Sequence, residues 1–65
     1  MENKQGKTVK DRLIEEIEYA ESTEKAEHRE VLALKAIGAA DFAVDFGMIT
    51  YKEWEQYIGR IFRLM

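Results

Sequence analysis

The sequence predicts an all-α fold, a three-helix bundle in a single domain. Three observations predict it. Proline is absent from the 65 residues, the chain is rich in Ala, Glu, Lys, Leu and Arg, and apolar residues recur at helical spacing between polar breaks. Sixty-five residues lie near the lower size limit for one self-sufficient core. With no cysteine, neither a disulfide nor a thiolate zinc site can staple the fold. Close packing, oligomerisation, or both must hold it.

The first helix is expected from about Thr8 to Glu21, behind a flexible polar tail at 1–7. Thr8 is the candidate N-cap, and Asp11 in the first turn suits the positive end of the helix dipole. Val9, Leu13, Ile17 and Ala20, widened by Ile14, form one apolar stripe with charges opposite. Glu21-Ser22-Thr23-Glu24-Lys25 is polar and is read as the turn, with Ser22 or Thr23 capping the next helix. A helix running straight through this segment is the alternative.

The second helix is expected over about Glu24 to Phe46. Apolar residues occupy most of its circumference, leaving a narrow acidic strip of Glu27, Glu30, Asp41 and Asp45. Such a helix should be central and covered on more than one side. Ala33, Ala36, Gly38, Ala39, Ala40 and Ala43 let neighbouring backbones come close. Gly38 costs about 1 kcal/mol relative to alanine in a helix, and a helix-crossing contact is the expected reason for it, with a hinge or a partner contact as the alternative.

The third helix, Tyr51 to about Leu64, separates its faces most cleanly. Tyr51, Trp54, Tyr57, Ile58, Ile61, Phe62, Leu64 and Met65 fall within about 160° of the helical wheel. Charged and small residues fill the other side.

Between the second and third helices, Gly47 to Trp54 (GMITYKEW) reads at first like the end of a calcium loop. With Gly47 at the sixth position and Glu53 at the twelfth, the first, third and fifth positions fall on Phe42, Val44 and Phe46, none of which can bind a cation. The segment is instead helix punctuation. Gly47 can take the left-handed conformation that ends a helix. Thr50 and Glu53 form a capping box, and Ile49 and Trp54 have the spacing of a hydrophobic staple. This hairpin resembles that of the short C-terminal domain found at the ends of many bacterial proteins. The resemblance implies interaction or oligomerisation, and no catalytic residues. The whole chain is similar in general character to the small helical proteins of bacterial and mobile genomes.

Composition bears on function chiefly by exclusion. The net charge of −3 argues against a general nucleic-acid binder. The N-terminus carries no apolar signal-peptide core, and the apolar run Val31–Ile49 is interrupted by Lys35, Asp41 and Asp45, each costing about 2.5–3.5 kcal/mol at a bilayer centre. A soluble, cytoplasmic protein is the expectation. His28, the single histidine, lies in a highly charged stretch and is read as a surface residue; no enzyme, metal or cofactor is expected. Asp41 and Asp45, one turn apart, repel mildly. Lys7 and Lys10 at the start of an antiparallel first helix are their expected partners, with a partner protein's basic patch as the alternative.

A helix-turn-helix reading of the hairpin, with Ala43-x-x-x-Gly47, gives the alternative function, a small DNA-associated regulator. It is opposed by Glu53 and Glu55, which would face phosphate at the start of the recognition helix. Lys4, Lys7, Lys10 and Arg12 are read as a solvated basic segment. The favoured function is a non-enzymatic module that binds itself or another protein. Six of the seven aromatic residues lie in the last 24 positions, more than a small core readily covers. Tyr51, Tyr57, Phe62, Leu64 and Met65 are the expected interaction surface.

Overall fold

The computed structural model describes residues 8–65 as three α-helices: α1 (Val9–Ser22), α2 (Ala26–Asp45) and α3 (Tyr51–Phe62), with no strand among the described residues. The expected tail over residues 1–7, with Lys4 and Lys7, lies outside the described residues. No described helix is long and apolar enough to cross a membrane.

Local chemistry places the helix ends. Thr8 caps α1, accepting from the Asp11 N–H at 3.1 Å, and Asp11 returns a bond to the Thr8 N–H, so two orphan donors are satisfied reciprocally. The chain then breaks at Thr23–Lys25, which settles the α1–α2 boundary, although the cap differs from expectation. Ser22 is the last residue of α1, and Thr23 Oγ1 donates back to the Tyr19 carbonyl at 2.8 Å. Both hydroxyls thus finish α1, and Lys25 starts α2 with no side-chain cap. Arg29 donates to the Thr23 carbonyl at 3.1 Å and ties the turn to α2.

The α2–α3 hairpin follows its sequence devices closely. Gly47 has φ of 73°, the Gly47 N–H donates to the Val44 carbonyl and the Met48 N–H to the Ala43 carbonyl. This pair of bonds is the Schellman motif, which satisfies carbonyls at the end of α2. Thr50 and Glu53 close the capping box at 2.8 and 3.0 Å. Ile49 is buried and Trp54 packs against the same core cluster, as a hydrophobic staple requires.

α2 is central and carries most of the interhelical contact, while α1 and α3 touch each other less. Its core-facing residues are Ala33, Ala36, Ala40 and Ala43, none more than 1% exposed. Their 3-4-3 spacing puts them on one side of the helix. Leu13 and Ile17 of α1 and Tyr57, Ile58 and Ile61 of α3 fill the space above that alanine floor. The bundle measures 35 × 25 × 14 Å, and neither neighbour covers the outer face of α2.

Two ion pairs align α1 with α3. Lys10 binds Glu53 near the start of both helices. Arg60 binds the Glu21 carboxylate through two nitrogens at 2.8 and 3.2 Å near their ends. α1 and α3 therefore run parallel, with α2 antiparallel to both. The sequence led us to expect Lys10 to pair with Asp41 or Asp45, and it pairs with neither. Its ammonium finds the nearer Glu53 carboxylate, already fixed in place by its capping bond.

Glu53 carries a consequence for pH. Its hydrogen bond from Lys10, then that from the Thr50 N–H, holds its carboxyl below the ordinary value of 4.5. The folded state therefore binds fewer protons than the unfolded state, and the stability contributed is complete above about 4.5 and lost as pH falls through the folded value. Glu53→Gln keeps the capping box but removes the charge. Thermal melts from about pH 6 down to 2 should show a shallower acid decline in this variant than in wild type; equal declines would count against the Lys10–Glu53 coupling.

Candidate interaction surface

The outer side of α2 is the main apolar surface left open. At about 100° per residue, Val31, Leu34, Gly38, Phe42 and Phe46 lie opposite the alanine floor within about 120°. All five are exposed, Phe46 at 67% and Val31 at 63%. The Phe42 and Phe46 rings contact each other with centroids 4.5 Å apart. An aromatic pair left facing water in so small a chain is the kind of surface that marks contact sites. α1 and α3 approach α2 from two sides, as expected of a central helix, but the side opposite the alanines stays open.

An open groove of ≈ 310 Å³ borders this strip between α1 and α2, lined by Val9, Leu13, Ala39, Phe42 and Met48, with Arg12 and Glu16. One Glu16 carboxylate oxygen is buried there with no hydrogen-bond partner. A carboxylate oxygen shielded from water and unpaired is a costly arrangement.

Gly38 occupies the middle of the strip. A Cβ built on it meets nothing within 4 Å, and the residue is exposed. The expected helix-crossing contact inside the molecule is therefore absent. Ala36 and Ala40, on the opposite side, supply the close approach instead.

The residues expected to form the surface on α3 divide. Tyr51, Phe62 and Met65 are exposed, whereas Tyr57 is 8% exposed and belongs to the core cluster with Ile58 and Ile61. The expectation that Tyr57 protrudes is corrected. It lies within the covered part of the α3 apolar arc, and Tyr51 and Phe62 lie at the open edge. Leu64 packs against the core, half-buried. Tyr51 and Phe62 stand about 16 Å apart along the helix, and the buried Ile58 separates them, so they do not form one patch. Tyr51 stacks on Trp54 at 5.2 Å.

The polar candidates are accounted for one by one. Asp41 accepts the Trp54 indole N–H at 2.8 Å, which locks α3 to α2 and explains one member of the aspartate pair. Asp45 and His28 are exposed. No three of the described His, Asp and Glu side chains come together as a metal-ion cluster. No family model, curated protein or solved structure matches the chain.

Sequence reasoning missed Val31, Leu34 and Met48 as surface residues and did not single out Phe42 or Phe46. The signal that finds them is the alanine spacing, since a floor at 33, 36, 40 and 43 turns 31, 34, 38 and 42 outward. Gly38→Ala tests this orientation. The methyl meets no neighbour, so the variant should gain about 0.5–1 kcal/mol in chemical denaturation from helix propensity alone. A loss of stability would place Gly38 against another element.

Proposed function

We propose that the chain is a small non-enzymatic protein-interaction or oligomerisation module that works through the outer face of α2. The observation that carries this reading is the strip Val31, Leu34, Phe42 and Phe46, exposed beside an apolar groove in a chain of 65 residues. Stability alone would favour polar residues at these positions, and an isolated helix that is apolar nearly all round is normally covered nearly all round. Tyr51, Phe62 and Met65 give α3 a lesser share in contacts. The resemblance of Gly47–Trp54 to the hairpin of bacterial short C-terminal domains supports the same kind of role, in a bacterial cytoplasm.

The DNA-associated alternative has less support. Glu53 and Glu55 stand at the start of α3, and Arg60 is held by Glu21. Capture from the native host, with and without nuclease, separates the two. Replacing Phe42 and Phe46 together by Asp should abolish recovery of a bound protein or of self-association, since buried aromatic anchors contribute most to such interfaces. Tyr51→Ala with Phe62→Ala should weaken it less. Bound material that disappears with nuclease, or a chain that is monomeric and captures nothing, would overturn the proposal.

A further inference from the structure

We infer that the outer face of α2 receives an amphipathic helix of another protein whose apolar stripe is flanked by lysine or arginine. This inference rests on the interaction-module reading and names the chemistry of its partner.

Three observations converge on it. The strip is helical in its spacing, with Val31, Leu34 and Phe42 about Gly38, so it offers anchors to a helix laid along or across it. Gly38 leaves an opening at its centre with nothing within 4 Å of a Cβ. Two packed helices lie about 8–10 Å apart according to the side chains at the contact, and a glycine there permits the short end of that range. Its helix-propensity cost has no compensating contact inside the molecule, and an incoming helix supplies one.

The charge around the strip selects the partner. Glu27, Glu30, Asp41 and Asp45 lie on one flank of α2, within about 60° of each other, against Lys35 beside the strip and Arg12 in the adjoining groove. A second copy of this chain fits poorly. An antiparallel two-fold pairing of α2 sets the acidic flank against itself, because the same surface meets on both subunits. A parallel pairing offers one lysine per copy against four carboxylates. Each copy also carries a net −3. Like charges brought together across an interface suppress that partner, whereas a basic flank is attracted.

The experiment uses the full chain and two synthetic helices of about five turns. Both carry the same leucine stripe, one flanked by lysines and the other by glutamates. Binding is read by fluorescence anisotropy, and the oligomeric state of the chain alone by sedimentation. The lysine helix should bind, more weakly as salt rises, and the glutamate helix should bind roughly thirtyfold more weakly or not at all. Phe42→Asp should reduce binding of the lysine helix by roughly thirtyfold or more. Gly38→Leu, which fills the central opening while favouring the helix, should reduce it at least roughly tenfold with unchanged far-UV circular dichroism.

Equal binding of both helices would overturn the basic partner while leaving an interaction face. A chain that dimerises, and that Phe42→Asp renders monomeric, would also remove the basic partner and leave the module reading intact. A monomer that binds neither helix would overturn both.

Discussion

Four alanines on one side of α2 set the distances in this molecule. Ala33, Ala36, Ala40 and Ala43 are all but inaccessible to water, and each presents only a methyl group to its neighbours. Backbones can therefore approach closely, and the bulk of the core comes from α1 and α3. Leu13, Ile17, Ile58 and Ile61 each contribute roughly 1.5–3 kcal/mol when buried. The same constraint has an outward consequence. Ile37 and Val44 pack along the edge of the core, and the remaining large apolar side chains Val31, Leu34, Phe42 and Phe46 face away from the alanine floor. The core of the bundle and its exposed apolar strip are two sides of one arrangement.

Polar contacts then fix what packing leaves loose. A floor of methyl groups is smooth and specifies register weakly. The register comes from directed bonds: the Schellman pair at Gly47, the two capping boxes, the Trp54–Asp41 hydrogen bond and the ion pairs Lys10–Glu53 and Glu21–Arg60. Glu53 joins two of these functions, since it caps α3 and holds α1. Most of these bonds are partly exposed, so their worth lies in geometry more than in energy.

Much of the fold was legible because its signals were local. Thr8, Gly47, Thr50 and Glu53 act within a few residues of themselves, and the sequence placed them correctly as caps and turn. The α1–α2 break was legible in position but not in chemistry, because a hydroxyl at 22 or 23 can serve the helix before it as well as the one after. The orientation of α2 was not legible from hydrophobicity, since apolar residues surround it. Size decided it: alanine spacing marks the inside, and Phe42 and Phe46 go outside although they are among the most apolar residues present. Tyr57 failed in the opposite sense, because the width of the α3 apolar arc does not say which part of it the core covers. Lys10 was misassigned because its partner depends on the packing of α3, which no local pattern encodes.

The account of function stands on that orientation, for a strip of large apolar residues matters only if it faces outward. Urea denaturation of two single variants tests it most directly. Ala40→Leu should lower stability by about 1–3 kcal/mol, because the floor has no room for the added carbons. Leu34→Ala should change it by no more than about 0.5 kcal/mol, because Leu34 faces solvent. A tolerated Ala40→Leu together with a loss of about 2–4 kcal/mol for Leu34→Ala would mean that α2 is turned the other way, and would contradict both the fold and the interaction surface derived from it.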